Sequence, residues 1–355
     1  MQLFRKKIVF FLIAIIIIYS TAGFIVVKIM LDRYFSGSDK SIYFSTNLTY
    51  DDVSKEFQKM DISFFSGQNE LNGAIYFNND SKGLIVMVHG YGGDMGSYIP
   101  QVQFFVQNGW STLVYNGTGV NDSDGESRIN LYQAVVDLRA ALQYIEKDEI
   151  LSVLPLVLIG HSQGGFAVCS VLNYDESAAV KAVVSFAGMN HAGDMVDVFG
   201  RQAVGVFYPL LKPFALILNQ TDFLLSSTAV SGINSRNIPI ILIQGNQDSV
   251  VPADRVAITS FSDEITNANV EIILLTDRWN NDHNSIFWSE EAYNYRNYVN
   301  ETLDSYIIEN DINILKDEDL HTWADAIKLD RKKINGINLY LFDQIEIFYN
   351  DAIQR

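Results

Sequence analysis

The stretch Leu154 to Gly165, which reads LPLVLIGHSQGG, constrains this chain more than any other. An apolar run stops at Gly160-His161-Ser162-Gln163-Gly164, and Phe166-Ala167-Val168 follows at once as an apolar helix opening. That layout reads as a strand, a tight turn and a helix, with one serine at the apex. Such a turn presses its backbone against neighbouring elements, so the positions two before and two after the serine have no room for side chains. Gly160 and Gly164 occupy them. The hydroxyl then stands clear of the sheet, and the next N–H, that of Gln163, lies at a helix N-terminus, where negative charge is favoured. Ser162 is therefore read as a nucleophile rather than as a residue of a purely structural turn.

A serine nucleophile needs a base to take its proton, and the base needs an acid to hold its tautomer. In an open α/β sheet these groups gather at the carboxyl ends of strands, in the chain order serine, acid, histidine. Ile240 to Gln244 is an apolar strand that ends in Gly245-Asn246-Gln247-Asp248, which puts Asp248 at such an edge. The next strand, Val270 to Leu275, runs into a loop that holds His283. Asp248 is thus the candidate acid and His283 the candidate base, with Asp277 and Asp282 as rival acids. An oxyanion needs two N–H donors. Gln163 supplies one, and the glycine-rich turn His89-Gly90-Tyr91-Gly92-Gly93 offers Tyr91 N–H as the second. Of the other histidines, His89 is expected to brace its loop, His161 to project elsewhere and pack, and His321 to lie on the surface. His191 stands at the entrance of an insertion, with a catalytic part as its alternative.

Composition narrows the function. The chain has 355 residues, 48% of them hydrophobic, enough for a sizeable core. A formal charge of −17 argues against a nucleic-acid partner, which calls for a basic face. The histidines lack metal-site spacing and no glycine-rich loop ends in Lys-Ser or Lys-Thr, so neither a metal nor an organic cofactor is expected. The single cysteine, Cys169, has no internal disulfide partner and reads as a buried packing residue.

Strands alternate with helical patterns through most of the chain, which predicts an α/β fold with a mostly parallel sheet covered on both faces. Before it, Arg5-Lys6-Lys7 leads into Ile8 to Val27, twenty residues without a charge. At 1.5 Å per residue they span about 30 Å, the thickness of a bilayer core. Residues 1–35 are therefore expected to be a membrane anchor with its basic end inside the cell and the rest of the chain outside. The alternative is a signal sequence cleaved near Ser20-Thr21-Ala22, which would give a secreted protein. Residues 36–60 read as a stalk and 61–310 as the catalytic domain. Within that domain, 189–237 is an apolar helical insertion broken by Pro209 and Pro213, expected to act as a lid over a hydrophobic pocket; extra core or a membrane- or partner-facing patch is the other reading. Residues 311–355 suggest amphipathic helices, from Leu320, Trp323 and Ile327 and then Leu339, Phe342, Ile345 and Phe348.

Together, His89-Gly90-Tyr91-Gly92-Gly93, the Gly160 to Gly165 elbow, Gly245 to Pro252 and Asp282-His283 resemble the α/β-hydrolase superfamily. The resemblance is to bacterial serine hydrolases of the monoacylglycerol-lipase, carboxylesterase and serine-aminopeptidase type, over about 61–308. It implies a central eight-stranded sheet, the triad Ser162, Asp248 and His283, and oxyanion donors at Tyr91 and Gln163. Asn116-Gly117-Thr118-Gly119 departs from the Asp-x-Arg-Gly-like turn of many members. The anchor and the 311–355 tail fall outside the usual core. The expected activity is cleavage of carboxylic esters with an apolar acyl group, of small-molecule or lipid-like kind, through an acyl-enzyme. A peptidase, amidase or acyltransferase on the same triad is the alternative, and a non-catalytic binding protein the third. The sequence names no protein partner.

Overall fold

The structure is a computed structural model that describes residues 2–35, 46–77, 80–125, 131–218 and 227–354. The proximal part of the expected stalk, 36–45, and the lid residues Phe223 and Leu224 lie outside the described residues. Among those described, eight strands form one sheet in the order β1-β2-β4-β3-β5-β6-β7-β8. They are β1 Gln58–Ser66, β2 Asn69–Phe77, β3 Leu84–Val88, β4 Ser111–Tyr115, β5 Leu156–His161, β6 Val180–Phe186, β7 Ile240–Gly245 and β8 Val270–Leu275. Only β2 runs against the direction of the others, antiparallel to β1 and β4; β3 to β8 are parallel. This is the α/β-hydrolase architecture that the resemblance implies. The opening hairpin is tight: Asn69 and Glu70 join the ladder opposite Ser66 and Phe65. Gly67, at φ +64°, takes the left-handed turn position that a side chain would strain.

The central strands β3 and β5 are apolar without interruption because both faces of the sheet are covered. Successive residues serve the two cores alternately: Leu84, Val86 and Val88 face one, Ile85 and Met87 the other. Helix α1 spans Gln2–Phe35, α2 Ile99–Gln107, α3 Gln133–Lys147 and α4 Gln163–Ser170. Helices α3 and α4 pack in the first core, and α2 in the second.

The 189–237 stretch divides in two. Helices α5, Ala192–Val204, and α6, Tyr208–Leu218, pack on each other outside the sheet. Helix α7, Ala229–Ser235, instead packs on α4 and buries Ala229, Val230 and Ile233 in the first core. Helix α1 lies against α6: Tyr19 and Phe24 set their rings 5.2 and 5.0 Å from that of Phe214. Gly23 permits this, since a Cβ there would fall 2.2 Å from the Phe214 ring. Phe10–Ile29 of α1 is long and apolar enough to cross a membrane.

The 311–355 region, whose amphipathic helices are expected to pack back on the body, does so in two parts. Helix α8, Glu290–Glu309, buries little beyond Ala292 and Val299, and forms a small core of its own with α9, Asp317–Ile327, and α10, Arg331–Ile334. Helix α11, Leu339–Ile353, buries Phe342, Ile345 and Tyr349 on the second face of the sheet. Tyr349 donates a 2.7 Å hydrogen bond to the carbonyl of Leu158 in β5. The end of the tail is thus part of the central core rather than an addition to it. The sheet face beneath needs an apolar helix, and α8, with its polar surface, does not supply one. Phe342→Ala should cost about 3–5 kcal/mol of unfolding free energy and Tyr349→Phe about 1 kcal/mol. Denaturant melts of both variants check this, and wild-type stability in both would contradict a core role for α11.

Candidate active site

Ser162 sits between β5 and α4 with φ 57° and ψ −116°, a conformation rare for a residue with a side chain. The turn is held by close backbone approaches. A Cβ on Gly160 would stand 2.2 Å from the Gly164 carbonyl oxygen, and one on Gly164 would stand 2.1 Å from that of Val88 in β3. Gly165 meets Phe186 in the same way, 2.7 Å from its carbonyl oxygen. Ser162 N–H donates to the Phe186 carbonyl at 2.8 Å, which joins the elbow to β6. Gln163 opens α4, so its N–H has no intrahelical acceptor. Its side chain donates to the Leu131 carbonyl at 2.9 Å.

His283 and Asp248 meet at 2.8 Å, imidazole Nδ1 to carboxylate Oδ2, and the Asp248 side chain is wholly buried. The carboxylate is satisfied on both oxygens. Val250 and Val251 N–H donate to Oδ1 at 2.9 and 2.7 Å, and the Gln244 amide donates to Oδ2 at 3.0 Å. All its partners are donors, the surroundings a buried carboxylate requires. The bond to Asp248 sets the imidazole proton on Nδ1 and leaves Nε2 as the basic nitrogen. Asp282, one rival acid, instead accepts from Ser249 N–H and Oγ, both at 3.3 Å. Asp277, the other, is exposed.

Ser162, His283, Tyr91 and Gln163 all line one cavity of about 530 Å³. No hydrogen bond joins Ser162 Oγ to His283 in this structure. Leu131, Met189, Met195, Phe199 and Val250 give the cavity an apolar lining, two of them from α5.

His161 does not simply pack away from the site as expected. Gly90 N–H donates to the Tyr98 hydroxyl at 3.0 Å, Tyr98 donates to His161 Nδ1 at 3.0 Å, and His161 Nε2–H donates to the His283 carbonyl at 3.1 Å. Three loops that line the cavity are tied together by this chain of bonds. The sequence offered no signal for it beyond the position of His161 next to the serine, and none for Tyr98. His89 braces its loop as expected: Nδ1–H donates to the Gly90 carbonyl at 2.8 Å and Nε2 accepts from Gly117 N–H at 3.0 Å. His191 caps α5 and accepts from Gly193 N–H, and His321 is exposed on α9. Cys169 is buried, and burial pushes its thiol up to about 12. Among the described residues no group of three or more His, Cys, Asp or Glu side chains is placed to hold a metal ion.

With strand order and site in view, the fold is that of the α/β-hydrolases. Residues 79–223 match the model of the family described as serine aminopeptidase, S33. The acylamino-acid-releasing enzymes of Mus musculus and Rattus norvegicus are each 24% identical over 183 residues, 48% of this chain and 24% of theirs. The chain thus spans about a quarter of the length of these curated relatives. Among solved structures, a Pyrococcus furiosus esterase superposes with a TM-score of 0.53 at 18% identity, over 68% of this chain and 87% of that one. Acetyl xylan esterase 1 from a Thermoanaerobacterium species gives 0.50 at 13% identity, over 72% and 86%. These structural likenesses carry the fold.

The buried network makes a pH prediction. Burial first, then the proximity of His283, lowers the His161 imidazole from 6.5 to about 3. Above the unfolded value both states are neutral and the native advantage is complete. As pH falls from there, the unfolded chain takes up a proton that the native state refuses. Stability is then lost at up to about 1.4 kcal/mol per pH unit until the folded value is reached. His161→Asn removes that contribution, so the stability gap between wild type and variant should narrow from about pH 6.5 to about pH 4. Denaturant melts across that range check it, and a gap independent of pH would contradict a buried neutral imidazole.

Proposed function

We propose that this protein is a serine hydrolase that cleaves carboxylic esters with an apolar acyl group. The observation that carries the reading is the buried His283–Asp248 pair on the same cavity as Ser162. Ser162 Oγ attacks the ester carbonyl as His283 Nε2 takes its proton. Asp248 holds the imidazole in place and stabilises its charged form. Tyr91 and Gln163 N–H groups receive the oxyanion, each worth about 3 kcal/mol of transition-state stabilisation. The acyl carbon–oxygen bond breaks, His283 returns the proton to the leaving oxygen, and water activated by His283 then hydrolyses the acyl-enzyme. The scheme calls for no metal or organic cofactor. The apolar lining from α5 and its neighbours suits the acyl chain.

A peptidase or amidase on the same groups is the second reading, favoured by the match to the serine aminopeptidase model and by the acylamino-acid-releasing relatives. Assay of p-nitrophenyl esters of increasing acyl length beside aminoacyl anilides decides between them. Under either reading Ser162→Ala and Asp248→Asn should each lower kcat/KM by about 10⁴-fold. Turnover by Ser162→Ala at the wild-type rate would contradict the nucleophile.

We further propose that α1 anchors the chain in a membrane, with the catalytic body on the outer side. Support comes from the basic cluster before the span and from the packing of α1 on α6. From Tyr19 to Phe24 the contact rises about 8 Å along the span, which brings the exposed Phe207 and Leu210 to the level of the outer leaflet. The joint variant Phe207→Ser, Leu210→Ser should then lose more activity on a vesicle-borne ester than on a soluble one. Equal loss on both would contradict that placement.

A further inference from the structure

The cavity before Ser162 draws its walls from both cores. Leu131, Met189 and Met195 belong to the first, whereas Tyr98, Phe287 and Ile337 belong to the second, on the other face of the sheet. On that second side the lining includes Arg296, the only basic residue of α8. Its guanidinium lies 4.2 Å from the centre of the Trp288 ring. Nη2 reaches Asn335 Oδ1 at 3.4 Å, a long bond, and Nε is buried with no acceptor. No charged group among the described residues offsets its burial, which alone lowers it to about 10. A largely buried arginine with no acid beside it is unfavourable unless something else supplies the charge. This is a chain with 42 acidic residues, and none of those described is spent on Arg296. Gln101, in α2, lines the same cavity and is buried with its Oε1 unpartnered. An amide turned the other way presents its NH₂ to the same guest.

We propose that Arg296 binds an anionic group, a carboxylate or a phosphate, carried by the leaving-group part of the substrate. The proposal rests on the reading of Ser162 as nucleophile and of the lid side as the acyl side. With the acyl chain among Met189, Met195 and Phe199, the alcohol part of the ester lies toward Arg296. The planar fork of the guanidinium, positioned over the Trp288 ring, suits two-point binding of an oxyanion. Departure of the alcohol after protonation by His283 leaves its anionic group on Arg296 until release.

Matched ester pairs test this with the full chain in neutral detergent. One pair is an O-acyl lactate and its lactamide; the other is an acylglycerol phosphate and the monoacylglycerol. The wild type should favour the anionic member of one pair by at least ~10-fold in kcat/KM, and which pair shows it separates carboxylate from phosphate. Arg296→Gln should bring that ratio close to one. Arg296→Lys, a point charge without the fork, should keep part of it. Turnover by the wild type without a charge preference in either pair would overturn this proposal alone, as would a wild-type ratio in Arg296→Gln. No turnover of any ester together with no fluorophosphonate labelling would overturn the nucleophile reading and this one with it.

Discussion

The elbow at Ser162 works only because three backbones touch there. A strained residue costs about 1–3 kcal/mol and persists only where its surroundings over-determine it. Here β3, β5 and β6 do so, through Val88, Gly160 and Phe186 packed against Gly164 and Gly165. Each contact is shorter than any side chain would allow, so the glycines are required by space. The same contacts place Ser162 and the Gln163 N–H at the mouth of one cavity, since the strands end there and α4 begins there.

A second constraint joins the loops that the sheet leaves apart. Asp248 follows β7 and His283 follows β8, and their union depends on the turn at Gly245. A Cβ there would stand 2.4 Å from the Asn281 carbonyl oxygen, so the two loops lie back to back. Asp282 adds a tie from one loop to Ser249 in the other. His161 then reaches across from the elbow to the backbone of His283 itself. Its ring stays neutral because burial disfavours the charged form. A protonated His161 would lose the bond from Tyr98 and set a positive charge beside the imidazole of His283, the two ring centres being 4.9 Å apart.

Much of this was legible in the residues. Continuous apolar runs marked the doubly covered strands, and the glycine spacing marked the elbow, because both patterns follow from local sterics. Asp248 and His283 were legible as ends of strands. Direction and long-range packing were not. His161 was expected to pack elsewhere, since nothing in one sequence says that Tyr98 and the His283 loop converge on it. The apolar stripe of 339–353 was visible, yet its place against β5 was hidden by the 290–335 segment, which forms a separate small core. Helix α7 was merged with the lid for a similar reason: both are short and apolar, and only contact with α4 distinguishes them. Arg296 is one arginine on a polar helix in the sequence, and only the structure places it on the cavity without an acidic partner among the described residues.

One hydroxyl, that of Ser162, decides whether this protein is a serine hydrolase. Intact protein treated with a small organophosphate, then digested and mapped by mass spectrometry, reads that reactivity directly. One adduct per chain on Ser162, lost when the protein is unfolded before treatment, is the predicted result. A folded protein that carries no adduct, or carries it on another side chain, would contradict the account.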